Sequence, residues 1–182
     1  QVKSLPNILS LIRILMTPFI LWLLILDLFL ISSIIIIFVG LTDFLDGYLA
    51  RKYNFQSIVG LYLDAIADKI FIVTIYLILG VKLLLPSYLI ILVIFREVLI
   101  FGSYLLNLSL NLKLNYRPIL ISKINTFFQI SLTIFVCLFT LSQINEINGI
   151  VFLKESLIAL VTVTTIVSSL IYIIIWSKAV KI

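Results

Sequence analysis

Four aspartates, Asp43, Asp46, Asp64 and Asp68, fall within 26 residues and make up half of the chain's eight acidic residues. They stand in a sequence that is 63% hydrophobic, where an ionised carboxylate is costly unless something compensates it. Asp43 and Asp46 are three apart, and Gly60, Asp64 and Asp68 are four apart, so each set lies on one face of a helix. Asp43 precedes Arg51 by about 12 Å of helix, and Asp64 and Asp68 lie a comparable distance into the next one. Two antiparallel helices bring the four acids to similar depth. Facing one another they would repel and hold protons unless divalent cations lay between them. Two Mg2+ or Mn2+ ions suit such an all-oxygen donor set.

Gly47, Ala50 and Gly60 are the smallest side chains near this face. Small residues in a membrane helix serve either close helix packing or the approach of a flat ligand to the backbone. Beside four acids, the second use is favoured. Arg51, about a turn nearer the water, suits a phosphate or pyrophosphate through charge-assisted hydrogen bonds, and equally suits an anchor at the membrane surface.

The elements that position these residues are apolar helices. Mean hydropathy is +1.32, which excludes an ordinary soluble domain and implies an all-α integral membrane protein. Residues 1–182 read as a single membrane domain of 20.7 kDa. The net charge of +5 is spread over the ends of apolar runs, so it reads as topology and headgroup contact, with no nucleic-acid surface. The chain has no histidine and one cysteine, Cys137. That removes histidine bases and nucleophiles, His-ligated zinc and any intrachain disulfide, leaving carboxylate chemistry with hard metals.

Six transmembrane helices are expected, preceded by a short interfacial amphipathic helix between Lys3 and Arg13 that leads into the first span. The spans run from about Leu11 to Leu26, Leu28 to Arg51, Gly60 to Leu79, Ser87 to Leu108, Ile119 to Leu141 and Ile150 to Trp176. The first shows no small-residue cleavage site and is not read as a signal peptide. Placing both termini on one side collects Lys3, Arg13, Arg51, Lys52, Lys113, Arg117, Lys123, Lys178 and Lys181 there, against Lys82 and Lys154 opposite. Positive residues favour the cytoplasmic side or its organellar equivalent, so both termini and the acidic cluster are expected to open to the cytoplasm of a bacterium or to the matrix side of an inner organellar membrane. Arg96 and Glu97 interrupt the fourth span and suggest a polar cavity. The two form either a structural ion pair at a helix junction or an acceptor-site contact; neighbours in sequence do not face each other on a helix, which favours Arg96 turned toward that cavity.

Asp43, Asp46, Gly47, Ala50, Arg51, Gly60, Asp64 and Asp68 fit D-x2-D-G-x2-A-R-x8-G-x3-D-x3-D at every position. This pattern resembles the signature of the CDP-alcohol phosphatidyltransferases. The resemblance implies six transmembrane helices, a homodimer, two divalent metals on the four aspartates and a CDP-linked lipid donor. It implies Asp68 as the base that deprotonates the acceptor hydroxyl. It also sets Gly47, Ala50 and Gly60 against the cytidine and Arg51 on the phosphates.

Outside the signature, L-P-N-I-L-S-L-I-R-I, A-D-K-I and Arg96-Glu97 are similar to the branch holding phosphatidylglycerophosphate and cardiolipin synthases. The stretch R-P-I-L-I-S-K-I-N-T-F-F-Q, Arg117 to Gln129, is closer to mitochondrial-type cardiolipin synthases. Asn125 and Tyr104 stand where phosphatidylglycerophosphate synthases more often carry lysine and arginine. Fewer cations suit an acceptor without a terminal phosphate monoester. The resemblance therefore implies transfer from CDP-diacylglycerol to phosphatidylglycerol, giving cardiolipin and CMP, with Arg96, Lys113, Arg117, Lys123 and Asn125 as acceptor contacts. Glycerol 3-phosphate is the alternative acceptor. A cation transporter or channel is the remote alternative, since intramembrane acids also line ion paths.

Overall fold

A computed structural model describes the backbone over residues 5–53, 58–109, 120–140 and 148–180, with side chains described over 12–42, 66–103, 120–140 and 148–177. Six helices account for the described backbone: α1 Leu5–Ile25, α2 Phe29–Tyr53, α3 Ile58–Val81, α4 Ser87–Ser109, α5 Leu120–Thr140 and α6 Asn148–Val180. No strand occurs among the described residues. The separate amphipathic helix expected at the start is not formed. Residues from Leu5 onward are the first turns of α1 itself. Pro6 lies in the opening turn, where a missing N–H is harmless, and no other proline or glycine interrupts the helix before Pro18.

Two of the connections are tight because helix ends are closed in the same way. Asp27 (φ 61°) and Leu83 (φ 57°) adopt left-handed backbone just past α1 and α3. The Asp27 and Leu28 amides donate back to the carbonyls of Leu24 and Leu23, and those of Leu83 and Leu84 to Gly80 and Leu79. This is the Schellman closure. The Lys82 ammonium then donates to the Ile25 carbonyl at 2.9 Å and pairs with Asp27, which pins the two turns together at one end of the bundle. Gly80 lies under Ile90, 2.2 Å from where a β-carbon would stand, so α3 and α4 meet closely there.

α1 packs on α2 and α3, α6 on α4 and α5, and α5 closes the bundle against α2 and α3. Ile20, Leu24, Ile36, Phe71, Ile75, Tyr76, Leu79, Leu132, Val136 and Val161 form the core between them.

The distribution of polarity is inverted relative to a water-soluble bundle. Ser32, Ser33, Ser103, Thr133, Thr165, Ser168 and Ser169 are buried, whereas Leu15, Phe38, Leu77, Ile91, Phe127 and Val163 point outward, one from each helix. Most of the buried hydroxyls are satisfied within their own helix: Ser32 donates to Leu28, Thr133 to Gln129 and Ser169 to Thr165, each one turn back. An outer surface of large apolar side chains suits a membrane-associated protein. Among the described residues, Leu120–Thr140 and Asn148–Ser177 are long and apolar enough to cross a membrane, with shorter apolar stretches at Ile12–Ile25 and Phe29–Thr42.

Candidate active site

Asp68 is the signature acid whose side chain the structure describes, and it emerges halfway along α3 with its side chain 43% exposed. Arg13 of α1 reaches it from the protein interior, with a side chain only 6% exposed, and forms an ion pair. The pairing follows from the packing of α1 along α3: an arginine two turns into an apolar helix must find an anion within the bundle. One turn later Thr17 donates to the Arg13 carbonyl at 2.8 Å, which keeps that turn closed just before Pro18.

Beside the ion pair lies a cavity of about 50 Å³ walled by Arg13, Val39, Gly40, Asp68, Phe71, Ile72, Thr126 and Ile130. Helices α1, α2, α3 and α5 all contribute to it. A β-carbon at Gly40 would meet nothing within 4 Å, so α2 leaves space at this point. Asp43 follows Gly40 by about 4.5 Å along α2, and Asp64 precedes Asp68 by about 6 Å along α3. α2 runs toward its end at Tyr53, and α3 starts back from Ile58. The two acid-bearing turns therefore continue from the cavity in the same direction. The side chains of Asp43, Asp46, Gly47, Ala50, Arg51, Gly60 and Asp64 lie outside the described residues, as do Lys113 and Arg117. Among the described residues no three acids, cysteines or histidines gather around one point.

Behind Asp68 a second set of charges ties α3 to the far half of the bundle. Lys69 pairs with Glu97 of α4, and Glu97 pairs with its neighbour Arg96. Arg96 is wholly buried and also donates to the side chain and the carbonyl of Ser122 on α5 and, at 3.4 Å, to Ser168 on α6. This corrects the expectation that Arg96 turns away from Glu97. Although α-carbons one apart point in different directions, two long side chains can lean into the same interhelical gap, and a gap shared by four helices offers no water as a competitor. Arg96 is therefore engaged inside the protein rather than facing an acceptor cavity.

Asn125 is likewise fully buried, in the seam between α5 and α6. Its Oδ1 accepts hydrogen bonds from Thr164 at 2.7 Å and Thr165 at 3.0 Å, while Nδ2 finds no partner among the described residues. Lys123, two positions earlier and so on another face, is exposed. The structure thus separates three of the expected acceptor contacts: Arg96 and Asn125 in the interior, Lys123 outside. A larger cavity, about 670 Å³, opens at the opposite end of the bundle between Leu83–Ser87, Phe135, Phe139, Ile150 and Lys154. No signature residue lines it.

A family model described as CDP-alcohol phosphatidyltransferase matches residues 3–167, which takes in Arg13, the whole acidic signature, Arg96, Glu97 and Ser122. The chain belongs to the CDP-alcohol phosphatidyltransferase family. Members of this family are membrane-associated, in keeping with the apolar outer surface. Among its relatives, the cardiolipin synthase (CMP-forming) / mitochondrial hydrolase fusion protein of Schizosaccharomyces pombe is 35% identical over 72% of this chain and 25% of that protein. The chloroplastic CDP-diacylglycerol--glycerol-3-phosphate 3-phosphatidyltransferase 1 of Oryza sativa subsp. japonica is 33% identical over 71% of this chain and 44% of that protein. Human cardiolipin synthase (CMP-forming) is 38% identical over 55% of this chain and 34% of its own length. The chain thus spans between a quarter and under half of these relatives. Their names divide between cardiolipin synthases and a glycerol-3-phosphate 3-phosphatidyltransferase.

Arg13 is the site residue that sequence reasoning missed, having been assigned to the surface charge that sets orientation. The signal was present: Arg13 stands between Leu11-Ile12 and Ile14-Leu15 with no acid on its own helix. Such an arginine needs a partner from elsewhere in the chain.

Proposed function

We propose that this chain transfers a phosphatidyl group from CDP-diacylglycerol to an acceptor hydroxyl and releases CMP, with all six helices spanning the membrane. The shortest helices have 21 residues, about 31 Å and enough for the hydrocarbon core. The observation that carries the reading is the place of Asp68, the last acid of the signature, on a cavity that α2 also lines one turn before Asp43.

The residues suit a pair of divalent cations. The donor set is carboxylate oxygen throughout, and the acid that is described already stands against a positive charge, that of Arg13. Asp43, Asp46, Asp64 and Asp68 would hold two Mg2+ or Mn2+ ions, which when bound polarise the pyrophosphate and stabilise CMP as leaving group. Asp68 accepts the proton of the acceptor hydroxyl. The freed oxygen attacks the phosphorus that carries diacylglycerol, and the bond from that phosphorus to the CMP oxygen breaks. Arg51 holds the donor phosphates, and Gly47, Ala50 and Gly60 let the cytidine lie against the backbone. The protein acts as a homodimer with the site on the cytoplasmic or matrix side.

Phosphatidylglycerol is the acceptor this arrangement suits best, giving cardiolipin. Lys69 and Arg96 are both paired with Glu97, and the Asn125 position is uncharged and turned into the α5–α6 seam. Glu97 thereby engages both cations and cancels one of their two charges, which leaves less positive charge for a dianionic phosphate monoester, an anion that would need such compensation in a low-dielectric pocket. Lys123, with Lys113 and Arg117, remains for the single charge of a phosphodiester headgroup. Glycerol 3-phosphate is the second reading, supported by the name of the rice relative. Purified protein in detergent with Mn2+ and CDP-diacylglycerol, given each acceptor in turn, decides between them. Cardiolipin formed with phosphatidylglycerol supports the first reading, and product formed only with glycerol 3-phosphate overturns it.

A further inference from the structure

The Arg13–Asp68 pair is asymmetric in a way that an ordinary structural bridge is not. Arg13 is buried, yet its carboxylate partner is 43% exposed and walls an open cavity. The cation thus approaches from the packed interior, and the acid keeps accessible surface on the cavity side. By contrast Glu97, between Lys69 and Arg96, is closed off at 1% side-chain exposure. A cluster of carboxylates is unstable without positive charge, and Arg13 supplies one that cannot leave.

We propose that Arg13 is the resident counter-cation of the acidic cluster: it neutralises Asp68 when no divalent cation is bound, shares that carboxylate once one arrives, and so sets how tightly the metal is held. The proposal rests on the metal reading above. It places Arg13 as a positioning residue acting through Asp68. A guanidinium in contact with a ligand carboxylate repels an incoming dication and occupies one of its oxygens. Its removal should therefore tighten metal binding while leaving the metal-free protein with uncompensated acids. A residue that merely glued α1 to α3 would do neither.

The test uses the full chain in detergent, purified with Mn2+ present throughout and then exchanged, as wild type, Arg13→Gln, Arg13→Met and Arg13→Lys. Mn2+ binding is read from loss of the free-ion paramagnetic resonance signal, and thermal unfolding is followed in EDTA and in saturating Mn2+. The expected result is tighter Mn2+ binding by about tenfold or more in the Gln and Met variants, with melting lowered in EDTA and restored toward wild type by Mn2+. Arg13→Lys, which keeps the charge, should track the wild type. Equal loss of melting temperature with and without metal, unchanged or weaker Mn2+ binding, or failure of both neutral variants to fold even in saturating Mn2+ overturns the proposal while the metal reading stands. Absence of Mn2+ binding to the wild type removes the metal reading, and the proposal with it.

Discussion

Arg13 on α1 and Arg96 on α4 are both arginines set deep in apolar helices, and each ends on a carboxylate, Asp68 in one case and Glu97 in the other. Around Arg96 the acid is enclosed: Glu97 answers two cations, and Ser122 and Ser168 accept further guanidinium hydrogens. Around Arg13 the acid opens to a cavity shared by four helices. The first arrangement fixes α3, α4, α5 and α6 relative to one another. The second leaves a charge that can change partners. In a bundle whose other buried polar groups are mostly hydroxyls bonded within their own helices, the open pair marks where chemistry belongs and the closed pair marks what holds it in place.

The largest effect should come from the open pair. Asp68→Asn is expected to lower CMP release roughly 10²–10⁴-fold, the range for losing a general base, and to lower the melting temperature as well, because the buried Arg13 loses its anion. Near-normal turnover would remove Asp68 from the proton transfer. The closed pair should respond in stability without a direct loss of chemistry. Glu97→Gln leaves Lys69 and Arg96 facing each other without an anion and should destabilise the bundle by about 3–5 kcal/mol, read as a lower unfolding temperature. If that variant melts like the wild type but has lost turnover, the contrast between the two pairs collapses and Glu97 joins the reacting groups.

Most helix boundaries, the start of α1 excepted, and the acidic signature were legible in the sequence because each depends on local information: apolar runs ended by polar turns, and acids at helical spacing. The runs expected at Ser87 to Leu108 and Ile119 to Leu141 meet α4 and α5 to within a residue. What escaped was set by partners distant in sequence. Arg13 finds Asp68 fifty-five residues on, and Asn125 finds Thr164 and Thr165 about forty residues on. The Arg96–Glu97 pairing was missed for another reason. Helical spacing rules describe where side chains leave the backbone, and long side chains in a dry gap override them.

Two smaller predictions sharpen the same contrast. Asn125→Leu removes an acceptor for Thr164 and Thr165, but Thr164 also bonds Leu160 in its own helix and the mutation discards an unpartnered Nδ2. Stability should change by about 1 kcal/mol or less, and the KM for phosphatidylglycerol should stay within about twofold; a large rise in KM with unchanged melting would return Asn125 to the acceptor site. Lys82→Met breaks the pair with Asp27 at the remote end, where Asp27 is largely exposed. Its effect on unfolding should be under about 1 kcal/mol, with CMP release unaltered.

The most direct test of the central claim is CMP formation by the purified chain from CDP-diacylglycerol and phosphatidylglycerol, followed through a cycle of Mn2+, excess EDTA and Mn2+ again. The account predicts CMP appearing one for one with cardiolipin, arrest in EDTA and recovery when the metal returns. CMP release that continues undiminished in EDTA, or none with either acceptor in saturating Mn2+, would contradict it.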